Sequence, residues 1–506
     1  MTTLPHSAAP LDANDRRLLE QVHPPGWIDP KAKDRYDLVV LGAGTGGLVS
    51  AAGAAGLGAR VALVEENRMG GDCLNVGCVP SKALIAAARS WEAARDSVKY
   101  GGPPVSGDGD FGAVMARLRR LRADLSTVDG APRFTQLGVD VFFGRGRFTA
   151  NNRVEVNGQT LHFRRAVIAT GARPAAPPIP GLAETGYLTN ETVFSLAQLP
   201  TRLAVIGAGP IGCELAQAFA RFGSQVTVLD QSPRILPRED AEAAAVVHEA
   251  LVSAGVVLNL ATRIERVARE HGGTTVHILR DDGRRLIITC DQLLVATGRV
   301  PNVTDLGLAE AGVTFGPAGV AVDSRLRTTN ARIFAVGDVC SPQQFTHAAD
   351  FQARLVLANA LFFGRGRHTS LVYPRCTYTS PELAHVGITP EEAARQGIPL
   401  DTITIPFAEV DRAVLDGPTQ GFLRVLLKRG TDRMLGITIV GDHAGELIAE
   451  GSVAVTNSLG LSALGRTIHP YPTRSEAYRK AADAWRRRKL TATVRRLLSL
   501  WFRLLR

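Results

Sequence analysis

The sequence has no long apolar segment and few cysteines, and each lack excludes a class of protein. Nowhere do 18 uncharged apolar residues follow one another, and the start, MTTLPHSAAPLDANDRR, lacks the basic and apolar parts of a secretion signal. Six cysteines in 506 residues are too few for a framework of structural disulfides. We therefore expect a cytoplasmic protein, neither secreted nor membrane-spanning, in which a close cysteine pair is catalytic or metal-binding.

Acidic residues are scarce at the C-terminal end, where the net charge of +10 is concentrated. Residues 479–506 contain ten Lys or Arg and one acidic residue, Asp483, so nine of the ten net charges lie there. The rest of the molecule is nearly neutral, which argues against nucleic acid as a partner. A length of 506 residues with 45% apolar residues and 51 glycines is typical of a globular protein with about three domains.

The first glycine-rich segment is YDLVVLGAGTGGLVSAAGAAGLGARVALVEE, which predicts a buried strand, a turn, a small-residue helix and a second strand ending in an acid. Gly42 permits the tight turn, Gly44 lets the backbone approach a pyrophosphate, and Gly47 lets helix pack on strand. Glu65 follows Gly42 by 23 residues, where a carboxylate can bind a ribose. The segment therefore predicts a dinucleotide-binding unit.

A second segment, RLAVIGAGPIGCELAQAFARFGSQVTVLD, repeats the pattern with Gly207, Gly209 and Gly212, and Asp230 follows the first glycine by 23 residues. Two dinucleotide sites indicate an electron relay from a nicotinamide to a second carrier, for which FAD is the natural candidate. Asp230 would bond a ribose 2'-hydroxyl and repel a 2'-phosphate, so NADH is favoured over NADPH. Arg234 follows closely and weakens this preference.

Two cysteines, Cys73 and Cys78, follow the first unit in MGGDCLNVGCVPSKALIAAARSWEAA, just before a predicted helix. A thiolate near a helix N-terminus is stabilised by the helix dipole and by backbone N–H groups. Without context, two cysteines at this spacing are more often packed or metal-binding thiols. Their position after a dinucleotide unit favours a redox-active pair.

These motifs closely resemble the class I pyridine nucleotide-disulfide oxidoreductases, the family of dihydrolipoamide dehydrogenase, glutathione reductase and mercuric reductase. The resemblance covers residues 35–485 and is carried by GGDCLNVGCVPSK, followed in order by AVIATGARP, LLVATGRVPN, IFAVGDV and YTSPELAHVGIT. It implies an α/β fold with two Rossmann-like dinucleotide-binding domains, for FAD and NAD, and a C-terminal α+β dimerisation domain. It also implies an oxidoreductase that passes electrons from NAD(P)H through FAD to a Cys73–Cys78 disulfide.

The resemblance further implies a role for each matched residue. Hydride passes from NADH to flavin N5, the reduced flavin attacks the disulfide at Cys78, and Cys73 leaves as the thiolate that meets the substrate. Lys82 and Glu214 match an ion pair beside flavin N5, for which solvated helix charges are the alternative. The other implied cofactor contacts are Glu65 at the adenosine ribose, Asp338 at the ribityl chain, and Thr170, Gly171 and Gly298 in the matched motifs.

The motif that supplies an acid–base histidine in disulfide-reducing members is altered in IHPYPTRSEA. Aligning it on the family's pattern puts Tyr471 at the histidine position and Glu476 at the glutamate, with His469 two residues before the tyrosine. A phenol with a pKa near ~10 transfers protons poorly at neutral pH. Mercuric reductases are similar here, with a Pro-Tyr pair near the inner cysteines, and two thiolates can hold a soft cation such as Hg(II).

Three functions stay open. The leading hypothesis is a mercuric reductase-like enzyme that reduces Hg(II) or another small-molecule or metal-ion oxidant, with no resident metal. Unlike mercuric reductases, the chain has no C-terminal cysteine pair and no cysteine-containing domain in front, because its cysteines run only from Cys73 to Cys376. One alternative is a dihydrolipoamide dehydrogenase or other disulfide reductase that uses His469. The other is a flavin-bearing redox sensor. If His469 has no catalytic role, we expect it to be a structural histidine in a proline-braced turn.

The motifs predict six segments. They are an N-terminal extension (1–34), a first FAD segment with the disulfide (35–185), an NAD(P) domain (186–300), a second FAD segment (301–370), an interface domain (371–485) and a basic tail (486–506). Because Tyr471 and Glu476 would serve the other subunit's disulfide, a homodimer with shared active sites is implied.

The tail, RRRKLTATVRRLLSLWFRLLR, has apolar residues at helical spacing and can lie on an anionic membrane surface. The alternative is a helix docked on the protein itself or a solvated end. The apolar positions are Leu490, Val494, Leu497, Leu498, Trp501 and Leu505.

Overall fold

The computed structural model describes residues 11–107, 109–270 and 273–506. Residues 1–10 lie outside the described part. Most of the segment in which we expect no secretion signal falls within them. Among the described helices, none combines the length and apolar character that crossing a membrane requires.

The described chain alternates helices and strands. Its α-helices are α1 (Ala13–Val22), α2 (Thr45–Gly56), α3 (Gly71–Asn75), α4 (Cys78–Asp96), α5 (Phe111–Asp129), α6 (Ala131–Gln136), α7 (Leu182–Thr185), α8 (Pro210–Phe222), α9 (Ala241–Ser253), α10 (Thr346–Leu361), α11 (Pro390–Arg395), α12 (Asp411–Asp416), α13 (Ala444–Thr456), α14 (Leu461–Leu464), α15 (Glu476–Arg488) and α16 (Ala492–Leu504).

The strands are β1 (Tyr36–Leu41), β2 (Val61–Glu65), β3 (Val139–Phe143), β4 (Arg147–Ala150), β5 (Arg153–Val156), β6 (Gln159–Ile168), β7 (Ala172–Pro174), β8 (Arg202–Ile206), β9 (Gln225–Leu229), β10 (Val257–Asn259), β11 (Thr262–Glu270), β12 (Gly273–Arg280), β13 (Arg285–Cys290), β14 (Gln292–Val295), β15 (Arg299–Pro301), β16 (Phe315–Gly316), β17 (Gly319–Val320), β18 (Ile333–Ala335), β19 (Arg375–Thr377), β20 (Glu382–Gly387), β21 (Leu400–Pro406), β22 (Phe422–Lys428) and β23 (Met434–Gly441).

The chain divides into two compact units, which are described separately. Unit 1 contains the described residues up to 207 together with 218–229 and 262–371, and unit 2 contains 208–217, 230–261 and 372–506. The finer division into six segments stays a prediction.

The largest sheet of unit 1 carries the first predicted dinucleotide-binding unit. Its strand order is β3-β2-β1-β6-β5-β4, with β18 also paired to β6. Strands β1, β2, β3, β6 and β18 are parallel. Side chains of β1 alternate between two apolar cores, with Leu38 and Val40 in one and Val39 and Leu41 in the other. This burial on both faces explains why the strand is continuously apolar.

The predicted strand–turn–helix–strand order is confirmed in both glycine-rich segments. In the first, β1, α2 and β2 follow one another, and α2 lies so close to α10 that a Cβ atom on Gly53 would be 2.4 Å from Leu357. In the second, β8 and β9 pair in parallel, and β14 pairs with the other edge of β8. Unit 1 also contains the antiparallel sheet β11-β12-β13.

Unit 2 is organised on an antiparallel sheet with the strand order β19-β20-β23-β22-β21. Its apolar core includes Val386, Ile437 and Tyr478, which come from two neighbouring strands and from α15. The tail forms the predicted helix, α16, although Leu490 precedes it and Leu505 follows it. Every residue from 486 to 506 is exposed.

Candidate active site

The two predicted redox cysteines lie at the ends of a short loop in unit 1. Cys73 belongs to α3, and Cys78 is the first residue of α4. Gly77 allows the intervening close turn, because a Cβ atom there would be 2.7 Å from the carbonyl oxygen of Asp72. The two sulfurs are not joined in a disulfide in this structure. A hydrogen bond with Cys78, burial and the charge of that neighbour raise the pKa of Cys73, and a smaller contribution from a hydrogen bond with Thr346 lowers it.

Two helices begin beside Cys78. Cys78 is the first residue of α4. Its sulfur lies 3.4 Å from Oγ1 of Thr346, the first residue of the 16-residue helix α10. Helix N-termini favour negative charge, and a hydroxyl can donate to a thiolate. The arrangement therefore stabilises a thiolate on Cys78. The sequence interpretation missed Thr346, for which no local motif gave a signal.

The first glycine turn has the form that an adenine dinucleotide requires. Gly42 has φ +96°, and a Cβ atom on it would be 2.4 Å from the carbonyl oxygen of Ala169, while one on Gly47 would be 1.8 Å from the oxygen of Gly42. Gly44 differs, because the nearest atom to a Cβ there is 3.8 Å away. Protein packing thus accounts for the outer glycines, and the open space at Gly44 fits an approaching pyrophosphate.

Glu65 supports this turn from the end of β2. Its Oε2 accepts a hydrogen bond from the backbone N–H of Ala43 at 2.6 Å, and its Oε1 accepts one from Asn67 at 2.8 Å. Burial raises the pKa of this carboxyl above its usual range. The turn and the carboxylate together fit the nucleotide end of FAD, with Glu65 free to accept a further bond from a ribose hydroxyl on its remaining lone pairs.

The second glycine turn repeats this geometry. Gly207 has φ +111°, and a Cβ on it would be 2.4 Å from the oxygen of Ala296. At Gly209 a Cβ would meet nothing within 4 Å. Asp230 accepts from the backbone N–H of Ala208 at 2.6 Å and from Ser232 at 2.7 Å, as Glu65 does in the first unit. Gly212 is buried in α8. The open space at Gly209 and the carboxylate of Asp230, both in unit 2, fit a second dinucleotide.

The guanidinium of Arg234 is engaged by the backbone near Asp230. It donates to the carbonyl oxygens of Glu239 and Pro237, both at 2.9 Å, and to that of Leu236 at 3.4 Å. A guanidinium committed to three carbonyls offers fewer donors to a 2'-phosphate.

Two matched motifs meet in unit 1. The hydroxyl of Thr170 donates to the carbonyl of Asn302 at 2.8 Å, and the side chain of Asn302 donates to the carbonyl of Thr170 at 2.9 Å. Gly171 and Gly298 have φ values of +66° and +140°, which L side chains adopt rarely. The hydrogen bonds between Thr170 and Asn302 hold β7 against β15, and the two glycines permit the turns just before these strands.

Arg299, which the sequence interpretation missed, links the redox loop to the predicted FAD site. Its guanidinium forms an ion pair with Asp72, the neighbour of Cys73, and a second with Asp338 at 3.3 Å. Burial alone would lower the pKa of Arg299, but the two carboxylates more than offset it and the pKa is raised. Burial raises the pKa of Asp338. The signal available in the sequence was the arginine that directly follows Gly298 in the matched motif LLVATGRVPN.

The residues at the altered histidine motif are all in unit 2. Tyr471 is 70% exposed, and its hydroxyl donates to Asp411 at 2.9 Å. That hydrogen bond and the charge of Asp411 raise the pKa of the phenol. The side chain of His469 is only 6% exposed, and its Nε2 lies 2.8 Å from Glu450. Glu476 is buried and ion-paired with Arg479.

Lys82 and Glu214 were predicted as a pair. Lys82 is half-buried on α4, one turn after Cys78, and Glu214 is buried on α8. Glu214 accepts a hydrogen bond from the backbone N–H of Tyr378 at 2.9 Å. Their ion pair stays a prediction.

Comparisons with known proteins agree with this arrangement. Residues 36–353 match the family described as pyridine nucleotide-disulphide oxidoreductase, and residues 373–482 match its dimerisation domain. A mercuric reductase of Lysinibacillus sphaericus is 35% identical over 460 residues, which cover 90% of this chain and 84% of that protein. A dihydrolipoyl dehydrogenase of Thermus scotoductus is 35% identical over 464 residues, covering 89% and 97%. Among solved structures, the Cu(II) complex of the HOCl-induced flavoprotein disulfide reductase RclA from Escherichia coli has a TM-score of 0.79 at 30% identity, covering 88% of this chain and 98% of that one.

Proposed function

The chain belongs to the pyridine nucleotide-disulphide oxidoreductase family, and we propose that it is a mercuric reductase-like member whose Cys73–Cys78 pair reduces Hg(II) or another thiol-reactive oxidant. Membership confirms the expected α/β fold with two Rossmann-like domains and a dimerisation domain, which supports a homodimer. It also makes the chain an oxidoreductase with FAD, NAD(P)H and a redox disulfide. FAD, when bound, carries two electrons between the nicotinamide and the cysteine pair.

The contrast between Tyr471 and His469 carries this proposal. A mercuric reductase and a dihydrolipoyl dehydrogenase are both 35% identical to the chain, so identity does not separate the two functions. Reduction of a disulfide substrate needs an acid that protonates the leaving thiolate. Tyr471 is exposed but has a raised pKa, while the imidazole of His469 is almost fully enclosed beside Glu450. The phenol is a weak acid at neutral pH, and the enclosed imidazole has little open surface from which to meet a disulfide substrate.

A metal ion as electron acceptor needs no such acid. Cys73 and Cys78 can bind a soft cation as two thiolates, and binding displaces any proton that the pair still holds. With Hg(II), the overall reaction consumes one NAD(P)H and yields NAD(P)+, one proton and Hg(0). The RclA structure is a Cu(II) complex, which makes Cu(II) a second acceptor to test.

NADH is the proposed electron donor. The carboxylate of Asp230 lies at the end of β9, where it would repel a 2'-phosphate. Arg234, the one nearby residue that weakened the prediction, has its guanidinium on backbone carbonyls. Both observations support a preference for NADH.

An acceptor screen with the purified holoenzyme tests the proposal. NADH oxidation is measured with Hg(II), Cu(II), lipoamide and glutathione disulfide, in the wild type and in the variants Tyr471→His and Tyr471→Phe. We expect turnover with a metal ion and little with either disulfide. Tyr471→His, but not Tyr471→Phe, should increase disulfide reduction, because only an imidazole at the exposed position restores a proton donor.

Two results would replace the proposal. Fast wild-type turnover of lipoamide that is lost in His469→Gln would indicate a disulfide reductase. No turnover with any acceptor, together with a reducible cysteine pair, would favour a flavin-bearing redox sensor. A cytoplasmic location and a peripheral membrane contact through the tail are part of the same proposal.

A further inference from the structure

Helix α16 separates its charges from its large apolar residues. At 100° per residue, Arg495, Arg496 and Arg503 fall within an arc of about 100°. The seven large apolar side chains occupy an arc of about 200° on the other side. They are Val494, Leu497, Leu498, Leu500, Trp501, Phe502 and Leu504.

This apolar face is not covered within the described chain. Leu497 is 60% exposed, Trp501 56% and Leu504 82%. A helix of 13 residues is about 20 Å long, too short to cross a bilayer of about 30 Å. It has the right size to lie in the plane of an interface.

The basic residues of the tail indicate what covers the apolar face of α16. No acidic residue follows Asp483, and seven further Lys or Arg precede or flank the helix between residues 479 and 506. A second copy of the same helix would bring like charges together, which disfavours pairing of two tails. An anionic surface with an apolar interior matches both faces at once.

We infer that α16 docks on an anionic phospholipid bilayer, with its apolar arc among the acyl chains and its arginines at the phosphates. This extends the proposed membrane contact of the tail and is independent of the electron acceptor. In a homodimer, two such helices would act together, and avidity would strengthen the binding.

Co-sedimentation of the full-length holoenzyme with vesicles tests the inference. We expect binding to vesicles of equal phosphatidylglycerol and phosphatidylcholine, and little binding to phosphatidylcholine alone or at high salt. Arg495→Ser with Arg496→Ser should weaken binding roughly 25-fold, at about fivefold for each charge. The control is Arg153→Ser with Arg164→Ser, which removes two exposed arginines from unit 1.

Insertion of the apolar face is read separately. Acyl chains that carry bromine should quench the fluorescence of Trp501, and Trp501→Phe should remove the quenched signal. Equal weakening by the control pair would reduce the effect to net charge and overturn the inference. So would absence of binding, or dissociation of the dimer on deletion of residues 490–506, because the helix would then cover the partner subunit.

A second inference concerns the loop between the cysteines. Arg122 on α5 is buried, and it donates to the carbonyl oxygen of Asn75, between Cys73 and Cys78, at 3.0 Å. The second terminal nitrogen of Arg122, Nη2, donates to Asp15 on α1, also at 3.0 Å. The side chain of Asn75 in turn donates to the carbonyls of Met69 and Gly71, at 3.0 and 2.9 Å.

We propose that Arg122 is a positioning residue, through which the N-terminal helix α1 holds the redox loop. The same two helices also share an exposed ion pair, Arg17 with Asp124 at 2.7 Å, which does not involve the loop. This pair provides a matched control, because Asp15→Asn and Asp124→Asn each remove one carboxylate from the α1–α5 contact.

The midpoint potential of the cysteine pair in the holoenzyme distinguishes positioning from stability. Asp15→Asn should change the equilibrium constant for disulfide reduction roughly threefold to tenfold, the effect of weakening one ordinary hydrogen bond. Asp124→Asn should leave it unchanged. If Asp15→Asn does not fold, Arg122→Lys, which keeps the charge but not both donors, replaces it. A potential equal to that of Asp124→Asn, with only a lower melting temperature, would overturn the proposal.

Discussion

The hydroxyl of Thr346 lies 3.4 Å from the sulfur of Cys78, so the first residue of α10 reaches the first residue of α4. A hydrogen bond to Cys78 and burial raise the pKa of Cys73. The two helices that begin at and beside Cys78, together with the raised pKa of Cys73, favour the negative charge of the reduced pair on Cys78. A hydroxyl and two helix N-termini favour the charge at this position.

Removing the hydroxyl should make the thiolate harder to form. After anaerobic reduction with NADH, the wild type should show the long-wavelength absorption of a thiolate against flavin. In Thr346→Val the pH at which this band appears should rise by about one unit, the equivalent of ~1.4 kcal/mol. Thr346→Ser, which keeps the hydroxyl, is the control. A band that persists in Cys78→Ser would contradict the assignment of the thiolate.

Cofactor choice should depend on Asp230 and little on Arg234. Asp230→Ala removes the carboxylate that would repel a 2'-phosphate, so the ratio of kcat/KM for NADH to that for NADPH should fall roughly tenfold. Arg234→Gln should hardly change this ratio, because the guanidinium is already bonded to backbone carbonyls. A ratio that stays constant in Asp230→Ala would remove the proposed role.

His385 should make unit 2 less stable in acid. It is fully buried on β20, with Nδ1 accepting from Thr438 and Nε2 donating to the carbonyl of Gly387, both at 2.9 Å. Burial, with a contribution from Arg375, lowers its pKa to about 3. The unfolded chain binds a proton near pH ~6.5, and the native state does not until about pH 3. Stability from this group is therefore present above pH ~6.5 and is lost as the pH falls towards 3.

The variant His385→Gln isolates this contribution. Between pH ~6.5 and ~5, the free energy of unfolding of the wild type should fall by about 2 kcal/mol more than that of the variant, at ~1.4 kcal/mol per pH unit. Urea titrations at the two pH values measure the difference. His162→Gln, at an exposed position, should behave as the wild type. Equal pH slopes for wild type and His385→Gln would contradict the prediction.

The sequence predicted what is local and periodic. Glu65 bonds to Ala43, 22 residues away within one strand–turn–helix–strand unit, so a glycine spacing was enough to anticipate that neighbourhood. The amphipathic tail was visible for the same reason. Thr346 and Arg299 lie 268 and 227 residues from their partners Cys78 and Asp72, and no periodicity reports contacts over such separations. Whether Tyr471 or His469 is exposed also depends on tertiary packing, so the acceptor stayed open.

The two carboxylates that share Arg299 should lower the stability of the protein when the arginine is removed. Asp72 and Asp338 are partly buried beside it, and burial already raises the pKa of Asp338. In Arg299→Met we expect a loss of about 3 kcal/mol of stability and release of FAD during gel filtration, because the desolvated charge of Asp338 and the partly exposed charge of Asp72 lose their common partner. Adding Asp72→Asn should recover part of the stability, since it removes one of those charges. Flavin content is measured by absorbance and stability by thermal melting. A double variant no more stable than Arg299→Met would show that the arginine acts through packing alone.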